Sequence, residues 1–161
     1  MKNKKVLFLV QAALIAAIYV VLTLLFQPFS FGEIQVRIAE ALTILPVFTP
    51  AAIPGLFVGC LIGNIFGGSA LPDIVFGSLA TCIGALFTYL LRKKNPYLAP
   101  LPPIISNTLI IPFVLRYAYG INLPIPLMML TIGIGEIISC GILGMIVYTS
   151  LRRHKRHLSF Q

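Results

Sequence analysis

Gly32-Glu33-Ile34-Gln35-Val36-Arg37-Ile38-Ala39-Glu40-Ala41-Leu42-Thr43-Ile44-Leu45-Pro46 sets three charges into a chain that is otherwise mostly apolar. Read as a helix from Glu33, the stretch puts residues 33, 37 and 40 at i, i+4 and i+7, which is one face. Arg37 can then pair with either glutamate, while Ile38, Ala41, Leu42 and Leu45 cover much of the rest. A charged stripe on an apolar helix faces protein or water, because lipid rejects it. The stripe is either the wall of a polar pocket or an interfacial Arg–Glu pair that anchors a helix end.

Composition decides the class around it. The 161 residues are 58% hydrophobic and only 10% charged, against roughly 25% charged in a soluble domain. The expected fold is an all-α integral membrane protein, a single domain over residues 1–161 with basic ends at 1–5 and 152–161. The net charge of +8 is concentrated in three short runs: Lys2, Lys4 and Lys5; Arg92, Lys93 and Lys94; Arg152, Arg153, Lys155 and Arg156. Such runs mark cytoplasmic loops rather than a nucleic-acid surface, and the last can also meet anionic membrane lipid. Cys60, Cys82 and Cys140 stand apart in apolar surroundings without a CxxC or a histidine partner. They read as buried free thiols, with no metal or redox site and no cofactor.

Val6 to Phe26 is an apolar run long enough to cross about 30 Å of hydrocarbon, and it is too long, with no small-residue cleavage site after it, to be a signal peptide. Its Ala12 and Ala16, and Ala13 and Ala17, are small residues four apart. That spacing serves close approach of another helix or ordinary internal packing. Residues 27–33 form a turn-rich loop. The organising stretch then runs apolar to Phe48, Thr49-Pro50 and Pro54-Gly55 break it, and Leu56–Phe66 follows. Charge parity counts the crossings here. The N-terminus and the Arg92–Lys94 run share a side, so residues 34–68 add two crossings or none. Two is the reading adopted, and a re-entrant hairpin satisfies parity equally well. Asp73–Leu91, Leu101–Leu115 and Ile125–Leu151 complete six transmembrane helices with both termini cytoplasmic. Residues 116–124 make an outer loop.

That topology carries a consequence for the polar residues. Glu33, Glu40 and Asp73 fall at or near outer ends of spans, as do Arg37, Asn64 and Arg116. Glu136 lies about 18 Å down the sixth span at helical rise, and Asn107 sits within the fifth. The acids therefore converge on a pocket open to the outside and closed below. Excess carboxylate favours a cation or a ligand rich in N–H donors, because one carboxylate accepts two parallel N–H bonds from an amidine-like edge. Guanine-type bases present that edge. Phe29, Phe31, Tyr117 and Tyr119 are candidates for stacking on such a ring, with loop or interface roles as the alternative.

Several classes are excluded. No GxxxxGK[ST] stretch binds ATP phosphates, no HExxH binds zinc, and the two histidines, His154 and His157, lie in the basic tail. An enzyme is not expected. Six spans without an internal repeat are few for a self-contained secondary transporter, so a binding protein that borrows energy from partners fits better. The rivals are a stand-alone small-cation carrier and a structural membrane subunit with no ligand.

Four stretches carry a resemblance: residues 35–46, Ile53-Pro54-Gly55-Leu56-Phe57-Val58-Gly59-Cys60-Leu61-Ile62-Gly63-Asn64, Asp73-Ile74-Val75-Phe76-Gly77-Ser78-Leu79-Ala80-Thr81, and Gly133-Ile134-Gly135-Glu136. In this order they resemble the signature of the QueT family, substrate-binding S components of energy-coupling factor (ECF) transporters linked to uptake of the 7-deazaguanines preQ1 and preQ0. The resemblance implies a six-helix fold in a bacterial plasma membrane, and as partners a transmembrane T component and two ATPase subunits. It implies binding outside, toppling in the bilayer and release inside. It also implies that Ala12, Ala13, Ala16 and Ala17 form a face toward the T component. For the ligand, Glu40 or Glu136 is the candidate for the base edge and Glu33 or Asp73 for the aminomethyl cation of preQ1. Arg37 would orient Glu40, and Asn64 and Asn107 would supply amide bonds.

Overall fold

The computed structural model describes residues 2–30 and 36–155. Among them the chain is helical throughout, with four helices long and apolar enough to cross a membrane and two shorter apolar ones. Helix α1 (Lys2–Leu25) leads to the short α2 (Gln27–Ser30). A 3-10 segment follows over Ile38–Val47, then α3 (Ala52–Phe66), α4 (Leu71–Leu91) and α5 (Leu101–Ala118). The last long helix starts as α6 (Ile125–Glu136), widens into a π turn over Ile137–Leu143 and ends as α7 (Gly144–Lys155).

The organising stretch departs from the expected α-helix. Arg37 is extended, with φ −83° and ψ 90°, and the helix that starts at Ile38 is 3-10. Residues 37 and 40 therefore do not share an α-helical face. Glu33 and Gln35 lie outside the described residues. Ten residues cover about 20 Å at 2.0 Å each, against about 15 Å as an α-helix.

Within this region the described residues 36–68 form two elements of opposite direction. The Tyr19 hydroxyl meets Glu40 near the start of the 3-10 segment, and the Thr49 hydroxyl bonds Gln11 at its end, 3.0 Å away. The segment thus runs antiparallel to α1. Helix α3 then returns parallel to α1, because Gly55 faces Ala12, Gly59 faces Ala16 and Tyr19, and Gly63 faces Thr23. Pro54 and Gly55 do not break this helix; they sit in its first turns, where a proline's missing N–H is tolerated. With 15 residues, α3 reaches about 22 Å. Neither element matches the roughly 30 Å of hydrocarbon.

Close approach holds α1 to α3. A Cβ on Gly59 would stand 2.8 Å from Tyr19 Cβ and 3.0 Å from Ala16 Cα, so only a glycine lets the two backbones meet. Ile15, Tyr19, Leu56 and Cys60 fill the core behind that seam. Ile111, Leu115, Met128 and Ile132 form a second core between α5 and α6. At the other end of the bundle, Ile44 and Ala99 pack with Tyr148, whose ring lies 5.5 Å from that of Phe48. The outer surface is apolar in turn: Val10, Leu14, Val21, Phe76, Phe87 and Ile146 are all exposed, the pattern of a lipid-facing wall.

Candidate functional site

Glu40 is fully buried on the 3-10 segment. Its Oε1 accepts from the Tyr19 hydroxyl of α1 and from the Thr81 hydroxyl of α4 at 2.9 Å. Its Oε2 is buried with no partner among the described residues. Three separate elements thus converge on one carboxylate and leave half of it unused.

Glu136 approaches from α6, also buried. Its Oε2 accepts from the Cys140 thiol at 3.1 Å, a pair one turn apart at the entry of the π turn. Single π turns inside α-helices recur at functional sites because they re-aim side chains. Carboxylate oxygens of Glu40 and Glu136 and the sulfur of Cys140 all lie within 4.8 Å of one another. Thr43 completes this wall by donating to the carbonyl of its own Glu40 at 2.6 Å. Two carboxyls and a thiol are a donor set that could hold a cation, and equally one that accepts N–H donors.

Asp73 occupies the first turn of α4, where the helix dipole favours an acid. Arg37 pairs with its Oδ1 at 3.4 Å, and the Tyr119 hydroxyl donates to its Oδ2 at 3.0 Å. The same phenol accepts from the Ala70 N–H, so Tyr119 ties the C-terminal end of α5 to the start of α4. Partial burial raises the Tyr119 phenol above its ordinary value, which keeps it a donor. Gly77, one turn below Asp73, makes the crowding possible: a Cβ there would lie 3.0 Å from Asp73 Oδ1 and 3.3 Å from Asn64 Nδ2.

Of the residues singled out from sequence, Arg37, Glu40, Asn64, Asp73, Asn107 and Glu136 are all buried, and Glu33 lies outside the described residues. Arg37 makes its ion pair with Asp73, whereas Glu40 is held by Tyr19 and Thr81. Asn64 donates toward the Asp73 carbonyl at 3.4 Å and toward Cys60 Sγ at 3.6 Å. At the centre of the cluster Glu40 is 0% and Glu136 2% exposed. Cys60 and Cys140 are buried free thiols, and Cys82 is only half-buried. Tyr117, on α5, is 80% exposed and lines a groove with Pro72 and Phe76; the side chains of Phe29 and Phe31 lie outside the described residues.

Sequence reasoning missed Tyr19, Thr43, Thr81 and Cys140. A usable signal existed for one of them, since Cys140 stands at i+4 from Glu136. An open groove of about 590 Å³ runs between α4 and α5 past Ile83, Phe87, Ile105 and Leu109, apolar walls suited to lipid chains.

The small-residue pairs of α1 divide. Ala16 is buried and Ala12 half-buried in the α3 seam, whereas Ala13 and Ala17 are exposed on the opposite side.

No solved structure matches this chain. A relative from Lactococcus lactis subsp. cremoris (strain MG1363), named queuosine precursor transporter QueT, is 34% identical over 101 residues, 60% of this chain. The aligned part of the chain spans 59% of that relative's length. The family model described as QueT transporter matches residues 9–153, nearly the whole length, and with the four long apolar helices this makes the protein a multi-pass protein of the cell membrane that belongs to the QueT transporter family.

Proposed function

We propose that the chain is the substrate-specificity component of an ECF-type importer, binding a queuosine precursor, preQ1 or preQ0, from the outside for uptake driven by partner ATPases. The observation that carries this reading is the pair of buried carboxylates, Glu40 and Glu136, whose oxygens stand within 4.8 Å of each other and of Cys140, in a chain of the QueT transporter family. In an apolar interior such a pair is expensive unless N–H donors or a cation face it. A 7-deazaguanine supplies N1–H and a 2-amino group in one plane. Glu40 Oε2, buried and unpartnered, is the natural acceptor for one of them, with Glu136 beside it.

On this reading Asp73, held by Arg37 and Tyr119 nearer the outer end, lies toward the aminomethyl cation of preQ1, as does Glu33. The chain crosses the membrane six times, the 3-10 segment and α3 serving as the two short crossings, and both termini are cytoplasmic. A T component and two ATPase subunits complete the transporter. The exposed Ala13–Ala17 side of α1 is the face offered to the T component, since Ala12 and Ala16 are engaged with α3.

Calorimetry on the detergent-purified protein with preQ1, preQ0 and guanine tests the assignment. Binding of preQ1 or preQ0 with weak binding of guanine is expected. Glu40→Gln and Glu136→Gln each replace a carboxyl oxygen by an amide NH2, and each should weaken binding by about 10- to 100-fold, since a mismatched buried polar pair costs about 1–3 kcal/mol. Wild-type affinity in both variants would overturn the pocket. No binding by the folded wild type would restore the carrier or structural reading.

A further inference from the structure

Two asparagines stand at the carboxylate cluster, and they are in different states. The Asn64 amide is committed, donating toward the Asp73 carbonyl and Cys60 Sγ, so it braces α3 against α4. Asn107, on α5, is 0% exposed. Its amide stands within hydrogen-bonding reach of the Glu136 carboxyl, yet neither Oδ1 nor Nδ2 makes a well-aligned hydrogen bond among the described residues. The Ser139 hydroxyl on the π turn and Glu40 Oε2 are likewise buried and unpartnered. A buried amide without a well-aligned partner at either end is costly to the fold. Its placement at the two carboxylates gives that cost a use.

We propose that Asn107 is a specificity-determining residue of the site, its amide pairing with an adjacent donor–acceptor edge of a planar, N–H-rich heterocycle. This rests on the reading of the site as a 7-deazaguanine pocket and deepens it. If the carboxylates take N1–H and the 2-amino group, O6 is left as a lone acceptor. The remaining adjacent donor–acceptor pair on the ring system is the pyrrole N–H with N3, both attached to one carbon. A primary amide matches such an edge with two parallel hydrogen bonds, as asparagine does with the N6/N7 edge of adenine. The base is then read on two edges, and a substituent on the pyrrole nitrogen, a ribose included, removes one of the two bonds at Asn107.

Asn107→Leu tests this with two readouts. Leucine fits a similar volume without polar atoms. The melting temperature of the ligand-free protein should therefore hold or change little, because the buried amide that is lost has only a poorly aligned contact with Glu136. Affinity for preQ1, by calorimetry, should fall about 10- to 100-fold, the loss of two hydrogen bonds. Asn64→Leu should lower the melting temperature instead. A second measurement needs no variant: preQ1 methylated at the pyrrole nitrogen should bind the wild type at least about 10-fold more weakly than preQ1. If the wild type binds preQ1 but Asn107→Leu, or the methylated base, binds as tightly, the Asn107 assignment falls while the precursor reading stands. If the wild type binds no deazaguanine, the precursor reading itself falls and takes the assignment with it.

Discussion

Glu40 divides its carboxylate between two tasks. Oε1 is fixed by the Tyr19 and Thr81 hydroxyls and sets the orientation of the group; Oε2 is left to act. Thr81 has one proton, and its contact to Glu40 at 2.9 Å is shorter than that to Cys60 Sγ at 3.5 Å, so the threonine donates to the carboxylate and accepts from the thiol. Tyr19→Phe removes one of the two donors without changing the packing on Gly59. The expected result is a loss of about 1–3 kcal/mol in stability and an affinity for preQ1 lowered several-fold, read by thermal melting and calorimetry on the same preparation. Unchanged affinity would mean that Thr81 alone orients Glu40. Neither partner was legible in the sequence. Tyr19 and Thr81 are 21 and 41 residues from Glu40, each in an apolar span where a hydroxyl residue commonly bonds its own helix, as Thr23 does with the Tyr19 carbonyl. The acids were legible because a carboxylate inside an apolar run has no such local outlet.

At the scale of elements, the long spans could be read directly from apolar runs between basic turns. The 3-10 segment could not, because spacing reports which residues are apolar rather than the rise at which they are wound. Arg37, expected from its spacing to pair with Glu33 or Glu40, is extended, and its guanidinium reaches the first turn of α4 and meets Asp73. The seam between α1 and α3 rests on a different property, the absence of side chains at Gly55 and Gly59. Gly59→Ala should destabilise the protein, by about 1–3 kcal/mol for an overpacked contact against backbone, since the new Cβ would meet Tyr19 Cβ and Ala16 Cα. Gly133→Ala is the control. There the nearest atom is Thr108 Oγ1 at 3.6 Å, ordinary contact distance, and the change should be neutral or stabilising by up to about 1 kcal/mol from helix propensity. Because Gly59 backs Tyr19, its variant should also lose affinity. Melting temperatures that fall equally in both variants would show that the seam is no tighter than the rest of the bundle.

Across the whole molecule, polar groups are sorted by end. Arg37, Asp73 and Tyr119 close one end, and the Arg92–Lys94 turn belongs to the other with the aromatic group of Phe48, Tyr97 and Tyr148. Between them the flanks are apolar, so a partner within the membrane must recognise shape. Helix α1 offers that shape on one side only. Its Ala12–Ala16 side is engaged with α3, and its Ala13–Ala17 side, flanked by the exposed Val10, Leu14, Val21 and Ile18, has no partner among the described residues. Small residues four apart let helices in lipid approach closely. The sequence could present both pairs but not say which is engaged within the chain, because a four-residue spacing is identical on either side of a helix. The two sides therefore separate folding from assembly. Ala16→Leu should damage the fold, lowering the melting temperature and preQ1 binding together. Ala13→Leu combined with Ala17→Leu should leave both intact, yet abolish co-purification with the proposed T component and ATPases and stop uptake in cells. Retained co-purification and uptake in that double variant would remove α1 as the coupling surface and leave the ligand site untouched.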